Sequence, residues 1–196
     1  VTDISGVVSS LSPTFSPDGT TLIGWDGNSG KIITAEFEDP SWNPTASYAG
    51  VVTNRPSDLA FFPDSQSFVT TYSTTKISIW TNINGVWIDE QISEINHGTS
   101  NMKSVAVSPD GLTLATMGAD SKIMTWEQDS IGDWVNVDSI NTDSLGTPNL
   151  RSLFFSPDGL SIVAGTDYGA LICEYSNNKW HIIDKIHTDV DPSGNT

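Results

Sequence analysis

The sequence has few cations, one cysteine and no long apolar run. Its 8 Lys and Arg residues stand against 24 Asp and Glu, which gives a net charge of −16. A chain this acidic lacks the basic surface that nucleic acid requires, and an anionic membrane surface is a poor target for the same reason. A single cysteine excludes an internal disulfide and leaves the compartment open, and no run approaches the roughly 20 apolar residues of a membrane span. We therefore expect no nucleic-acid partner and no membrane insertion.

Motifs with a known chemistry are also scarce. The three histidines, at 97, 181 and 187, do not stand at metal-ligand spacing, and neither a Gly-rich phosphate loop nor a nucleophile elbow occurs. The stretch from Asp189 through Asp191 to Ser193 resembles the first half of a calcium loop, but no bidentate Glu follows it, so we interpret it as a solvated connector. Cys173, with no motif around it, is interpreted as a small buried apolar residue. We predict no catalytic residue, no cofactor and no metal.

What the sequence does contain is a repeat. The motif Ser-Pro-Asp-Gly, or a near copy, recurs at intervals of 46, 46 and 48 residues, with its Asp at Asp18, Asp64, Asp110 and Asp158. A Trp follows each of these Asp residues after 22 to 24 positions, at Trp42, Trp87, Trp134 and Trp180. Self-similarity at such a period is typical of repeat architectures, in which each unit is one supersecondary element.

Each unit consists of short strand-like segments. In the third unit, apolar or alternating runs rich in β-branched residues cover 103–107, 112–116, 122–126 and 134–140, with Gly, Pro, Asn or Asp between them. Four strands in about 46 residues are what a β-propeller blade requires. We predict an all-β fold, a single propeller segment of four-stranded antiparallel blades at about 9–49, 57–95, 103–141 and 151–187, with 188–196 as a connector or tail.

One stretch of the third unit resembles a known repeat family. Residues 114–126, Leu-Ala-Thr-Met-Gly-Ala-Asp-Ser-Lys-Ile-Met-Thr-Trp, look like the core of a WD repeat, and Lys-Ile-Ser-Ile-Trp at 76–80 is similar. In that family a His, a Ser or Thr, an Asp and a Trp form a hydrogen-bonded structural tetrad. The resemblance implies that His97, Thr116, Asp120 and Trp126 form it in the third unit.

The other units depart from this tetrad. The second unit has Thr74 where Asp is expected, the fourth has Cys173 in the Trp position, and the first has Ser29 and Ala35. The Trp-Asp dipeptide that names the family is absent from the third strands. The resemblance, which covers residues 9 to 187, therefore indicates a divergent member, and other propeller families with Ser-Pro-Asp-Gly turns remain open.

Four blades allow three arrangements. We expect the remaining blades to belong to the same chain or to another subunit, because an open end of a propeller exposes a strand face that needs a cover. A closed ring of four blades and half-rings that associate are the alternatives.

Most of the scarce cations fall at equivalent places in the units. In a propeller, the loop before the first strand and the hairpin between the second and third strands open on the same side of the disc. Six of the eight Lys and Arg residues lie in or beside these connections: Lys31, Arg55, Lys76, Lys103, Lys122 and Arg151. We predict that they form a partner-binding rim, the alternative being that they solvate the hairpins and pair with local acids.

These observations together favour a non-enzymatic module that binds a protein partner. A ligand-binding propeller, associated with carbohydrate or calcium, is one alternative, in which the periodic Trp residues would line pockets. A propeller hydrolase is the other, and it would need acids clustered at the mouth of the channel.

Overall fold

The computed structural model describes residues 13–26, 29–39, 41–48, 54–92, 94–143, 150–167 and 169–187 of the chain. None of these described residues belongs to a helix with the length and hydrophobicity of a transmembrane span. The strands, in chain order, are β1 Thr14–Phe15, β2 Thr21–Trp25, β3 Ile32–Glu38, β4 Ser41–Tyr48, β5 Pro56–Phe61, β6 Ser67–Tyr72, β7 Ile77–Ile83, β8 Val86–Ile92, β9 Met102–Val107, β10 Thr113–Gly118, β11 Lys122–Gln128, β12 Trp134–Asn141, β13 Leu150–Phe155, β14 Ser161–Thr166, β15 Gly169–Ser176 and β16 Lys179–His187.

Each set of four consecutive strands forms one antiparallel sheet in which sequence neighbours are spatial neighbours. These sheets are termed blade 1 (β1–β4), blade 2 (β5–β8), blade 3 (β9–β12) and blade 4 (β13–β16). Adjacent blades contact through their innermost strands, β1 with β5, β5 with β9 and β9 with β13. The prediction of an all-β chain built of four four-stranded antiparallel blades is confirmed.

The Ser-Pro-Asp-Gly turns join the first and second strands of the blades. In blade 1 the Asp18 carboxylate accepts hydrogen bonds from the Ser16 hydroxyl at 2.6 Å and from the Thr20 N–H at 3.0 Å, and Gly19 adopts a φ of 73°. These bonds, that from Ser16 above all, lower the pKa of Asp18 because they favour the ionised carboxylate. The motif recurs because each of three residues has a role in the turn: the Asp carboxylate accepts hydrogen bonds, the Ser hydroxyl donates one to it, and Gly adopts the positive φ.

Blade 2 has Ser65 where the other turns have Gly. Ser65 adopts a left-handed φ of 57° and is buried. Such a backbone costs a residue with a Cβ about 1–2 kcal/mol. The Ser65 hydroxyl, however, accepts a hydrogen bond from the Asp18 N–H of blade 1 at 3.1 Å. The substitution therefore adds a contact between two blades.

Apolar cores lie between neighbouring blades, and three of the four periodic Trp residues pack in them. Trp87 lies in the core of blades 1 and 2, Trp134 in that of blades 2 and 3, and Trp180 in that of blades 3 and 4. The Trp87 ring lies 4.9 Å from the ring of Phe68, centroid to centroid. Because buried indoles contribute through packing area, these Trp residues stabilise the junctions between blades.

Candidate functional site

The strand order brings the predicted cations to one end of the blades. The segment that enters the innermost strand of blade 3 lies beside two hairpins. The Met102 N–H donates to the Thr74 carbonyl in the hairpin of blade 2, and the Ala119 N–H in the hairpin of blade 3 donates to the Asn101 carbonyl, both at 2.9 Å. This end is termed the basic rim, and it carries Lys31, Arg55, Lys76, Lys103, Lys122 and Arg151.

The cations of the basic rim differ in exposure. Lys31, Arg55, Lys76 and Arg151 are exposed, whereas Lys103 and Lys122 are half-buried. Arg151 forms an ion pair with Asp167 of the β14–β15 hairpin. Pairing with a local acid, the alternative interpretation of these cations, therefore applies at Arg151. An exposed pair of this kind contributes about 0–1 kcal/mol and leaves the guanidinium available to a competing anion.

A groove of about 580 Å³ follows the innermost strands of the four blades. Its wall is largely apolar and includes Phe15 of β1 and Phe154 of β13. Lys103 and Arg151 line both this groove and a smaller recess of about 360 Å³ at the basic rim. The end of the groove that meets the basic rim therefore combines two positive side chains with the polar residues Ser57, Asp58 and Ser152.

A half-buried carboxylate in this wall links three blades. One oxygen of Asp58 in β5 accepts hydrogen bonds from the Ser104 hydroxyl and, at 3.2 Å, from the Val105 N–H. The other oxygen accepts from the Leu59 N–H at 2.9 Å, and Ser104 in turn accepts from the Leu153 N–H of blade 4 at 3.1 Å. Burial raises the pKa of Asp58, while the Ser104 hydroxyl opposes the rise.

Asp58 was not among the residues predicted from the sequence to have a role. The signal was present, because Asp58 lies six residues before the turn Asp of its unit, where the third and fourth units have Ser104 and Ser152. Without the neighbouring strand in place, however, an acid among many acids has no visible partner.

The four residues proposed as a structural tetrad meet in blade 3. The ring nitrogens of His97 lie 2.9 Å from Asp120 Oδ1 and 2.9 Å from Thr116 Oγ1, and the Trp126 indole N–H donates to Thr116 Oγ1 at 2.8 Å. Since the Thr116 hydroxyl oxygen accepts the Trp126 N–H, the hydroxyl proton is free to be donated to Nε2 of His97. In this tautomer the His97 Nδ1 carries the ring proton and donates it to the Asp120 carboxylate. Burial lowers the pKa of His97 despite the nearby carboxylate. None of the four lines the groove.

Blade 2 uses a different residue at the place of this histidine. Gly118 of blade 3 leaves room for the His97 ring, whereas the equivalent residue of blade 2 is Tyr72. The Thr70 hydroxyl donates to the Tyr72 hydroxyl at 3.1 Å and accepts from the Trp80 indole at 3.2 Å. The Trp and Thr pair thus persists in blade 2 with a tyrosine as the third member.

Blades 1 and 4 place small apolar residues where blade 3 has Trp126. These are Ala35 and Cys173, and both are fully buried. Burial raises the pKa of the Cys173 thiol to about 11, so the thiol stays protonated at neutral pH. This environment agrees with the interpretation of Cys173 as a core residue.

No group of three or more His, Cys, Asp or Glu that could hold a metal ion occurs in the described ranges. The calcium-like stretch at Asp189 and Asp191 lies outside them.

Comparison with known proteins supports the repeat and the fold. A family model described as "WD domain, G-beta repeat" matches residues 90–127, a span that ends just after Trp126. The suspected resemblance to a divergent WD-repeat propeller is thus confirmed. None of the curated proteins matches the chain in sequence.

Solved structures with the same fold include lactonases. A candidate 6-phosphogluconolactonase from Bacteroides uniformis matches with a TM-score of 0.74 and 16% identity over 90% of this chain and 54% of its own. A second, from Bacteroides fragilis, matches with a TM-score of 0.73 and 16% identity over 92% and 55%. The periplasmic gluconolactonase of Pseudomonas aeruginosa matches with a TM-score of 0.64 and 17% identity over 91% and 53%. The chain spans about half the length of these structures.

These neighbours contradict the prediction that the chain is not an enzyme. That prediction treated a repeat propeller with few chemical motifs as a sign of a scaffold, but propellers with the same blades are described as lactonases. Short motifs are a poor guide here, because residues from several blades converge on a propeller channel only in three dimensions. At 16 to 17% identity the likeness itself establishes the fold.

Proposed function

We propose that the chain forms part of a propeller hydrolase that binds an anionic sugar lactone where the inner groove meets the basic rim. The observation that carries this proposal is the pair Lys103 and Arg151, which line both the groove and the rim recess in a chain with 8 cations against 24 acids. The lactonases among the similar structures support the substrate class.

The chemistry of the two cations suits a phosphorylated lactone. A guanidinium binds two phosphate oxygens in a planar, bidentate geometry, and an ammonium adds a compact positive charge. The exposed ion pair of Arg151 with Asp167 can exchange its carboxylate for a substrate anion at small cost.

Hydrolysis also requires a base that activates water. Asp58 is the carboxylate that lines the groove in the described residues, but both of its oxygens accept hydrogen bonds from strand groups. Asp58 therefore holds the strands together, and we assign substrate binding and orientation to this segment.

The test compares ligands with and without phosphate. We expect the chain to bind 6-phosphogluconate, the stable product of lactone opening, at least tenfold more tightly than gluconate in isothermal titration calorimetry. The double variant Lys103→Gln, Arg151→Gln should remove this preference. The double variant Lys31→Gln, Lys76→Gln removes two positive charges from rim positions that do not line the groove, and it should retain the preference for 6-phosphogluconate.

Equal affinity for the two acids, or equal loss in both double variants, would exclude the groove as the anion site. Hydrolysis of 6-phosphogluconolactone above the uncatalysed rate is the accompanying activity measurement. A rate that exceeds the background with gluconolactone but not with its phosphate ester would also contradict the proposed substrate class.

The basic rim as a whole favours a second function, the binding of an acidic protein segment. Its support is the clustering of six of eight cations on loops of a rigid scaffold, where partner contacts are expected. Charge reversal at Lys76 and Lys122 should weaken binding of a fluorescent poly-glutamate peptide by at least tenfold at low salt. Charge reversal at Lys179, which starts β16 away from these hairpins, is the control. Unchanged peptide binding after charge reversal at Lys76 and Lys122 would exclude the rim as a partner site.

A further inference from the structure

A hydrogen bond closes the perimeter of the junction between blades 3 and 4. Asp138 of β12 pairs with Thr125, the residue before Trp126 in the third strand of blade 3. The Asp138 Oδ2 accepts the Trp180 N–H of the outermost strand of blade 4 at 2.7 Å. A carboxylate at this position therefore binds the outer edge of one blade to the next.

The junction between blades 2 and 3 has a carboxylate at the same position but stays open. Glu90 of β8 is the counterpart of Asp138, because it also pairs with the residue before the Trp of the third strand. Glu90 is exposed, and in the part of the chain that the structure describes no hydrogen bond joins it to Trp134, the counterpart of Trp180. A recess of about 360 Å³ lies between the two blades here. Blades 2 and 3 each have a neighbouring blade on both sides, so neither wall of the recess belongs to a terminal blade.

This opening, termed the acidic recess, combines exposed acids with more deeply placed apolar residues. Three of its lining residues belong to the core between blades 2 and 3: Ile79, Ile92 and Trp134. Three others are exposed acids: Glu90, Glu94 and Asp133. Because a cleft lined by charge of one sign raises the local concentration of the opposite charge, the acidic recess attracts cations.

None of the described cations neutralises these acids. The described residues that line the recess include no Lys, Arg or His. The two ion pairs among the described residues, that of His97 and that of Arg151, use other carboxylates. The acids also do not form a metal site, since no group of three ligands that could hold a metal ion occurs in the described part of the chain. Carboxylates spaced in this way therefore suit an extended organic cation better than a metal ion.

A buried donor without an acceptor also lines the acidic recess. In blade 3 the indole N–H of Trp126 donates to Thr116. Trp134 is only 5% exposed, yet its indole N–H has no acceptor among the described residues. Because an indole can only donate, a bound group that brings a carbonyl oxygen would satisfy it.

We propose that the acidic recess binds an arginine side chain of a basic segment of a partner protein. The guanidinium carries five N–H donors in a planar fork, which matches carboxylates in a bidentate geometry. The methylene stem of the arginine packs on Ile79 and Ile92. A peptide carbonyl of the same segment accepts the Trp134 indole N–H. This inference does not depend on the proposed hydrolase function, because the recess lies at the perimeter and shares no lining residue with the groove.

The test compares short peptides that differ in one side chain. Acetyl-Gly-Arg-Gly-amide is titrated into the full chain at low salt, and the Trp134 indole N–H signal is followed by proton–nitrogen correlation NMR. We expect a saturable shift of this signal. The affinity should be at least tenfold higher than that of the citrulline peptide, whose side chain has nearly the same shape and no charge.

Two double variants show whether the named acids are responsible. Glu90→Gln, Glu94→Gln should weaken binding of the arginine peptide at least tenfold. Glu127→Gln, Glu174→Gln removes the same amount of charge from exposed positions that do not line the recess, and it should change the affinity less than twofold.

Several results would overturn the proposal. Equal affinity for the arginine and citrulline peptides would show that the charge is not recognised. An equal loss in the two double variants would show that binding follows the net charge of −16 rather than the recess. A lysine peptide that binds as tightly as the arginine peptide would exclude the guanidinium as the recognised group. Saturable binding of Ca²⁺ that Glu90→Gln, Glu94→Gln abolishes would assign the recess to a metal ion instead.

Discussion

Replacement of Gly118 tests the packing of the hydrogen-bonded cluster in blade 3. A Cβ at this position would lie 2.6 Å from Asp120 Oδ1, 2.8 Å from His97 Nδ1 and 2.9 Å from His97 Cγ. The Asp120 carboxylate can rotate, but the His97 ring is buried and bonded at both nitrogens. Gly118→Ala must therefore displace the ring or break one of its hydrogen bonds.

The expected cost follows from three terms. Overpacking of a core contact costs about 1–3 kcal/mol, and loss of one buried hydrogen bond costs about 1–3 kcal/mol. Replacing a glycine lowers the conformational entropy of the unfolded chain, which stabilises the folded state by about 0.4–1 kcal/mol. We expect Gly118→Ala to lower the free energy of unfolding by about 2–4 kcal/mol, measured by urea unfolding with tryptophan fluorescence.

A second glycine and a double mutant provide the controls. A Cβ at Gly165 would lie 2.6 Å from the Ser152 hydroxyl, with its next neighbours at 3.9 Å, and that hydroxyl can rotate away, so we expect Gly165→Ala to cost less than about 0.5 kcal/mol. In a His97→Ala background, Gly118→Ala should cost almost nothing, because the obstructing ring is absent. Equal costs at the two glycines, or an undiminished cost in the His97→Ala background, would refute the reasoning.

The remaining predictions concern polar contacts and use the same urea unfolding assay. Burial lowers the pKa of His97 below its ordinary 6.5, so as the pH falls the imidazole takes up a proton in the unfolded chain before it does so in the folded chain. The stability that the neutral ring contributes is complete above pH 6.5 and is lost as the pH falls below this value. His97→Gln should remove this part of the pH dependence of stability, and parallel stability profiles of the wild type and the variant would contradict the prediction. Asp58→Ala leaves the Ser104 hydroxyl and a neighbouring N–H without their acceptor and should cost about 2–4 kcal/mol, whereas a cost below about 0.5 kcal/mol would show that water replaces the carboxylate. Tyr72→Phe removes one bond to Thr70 and should cost about 1 kcal/mol, less than Thr70→Val, which also leaves the Trp80 indole unpaired.

The strands and turns were predictable because their causes are local. The alternation of apolar residues, the Ser-Pro-Asp-Gly turns and the constant period are short-range features, and each turn closes on its own Asp side chain, as Asp18 does with Ser16 and Thr20. The position of the six cations at one end followed from strand order alone. The sequence did not predict that in blade 2 Tyr72 takes the role that His97 has in blade 3. The hydrogen bond between the Tyr72 and Thr70 hydroxyls depends on how the two side chains are oriented on one strand.

The prediction that the chain is not an enzyme was wrong for a related reason. A propeller assembles its groove from one strand of every blade, so residues such as Lys103 and Arg151, 48 positions apart in the chain, come together only when blades 3 and 4 pack. Asp58 and Ser104, 46 positions apart in the chain, are likewise in direct contact in space. No short motif records such a meeting.

The sequence by itself determined the repeat, the four strands of each unit and the side on which the scarce cations lie, because periodicity and turn chemistry act over a few residues. Only the tertiary structure decided which polar groups are satisfied across blades and which side chains meet in the cores between blades. These outcomes depend on the distance between sheets, and a linear pattern does not contain that distance.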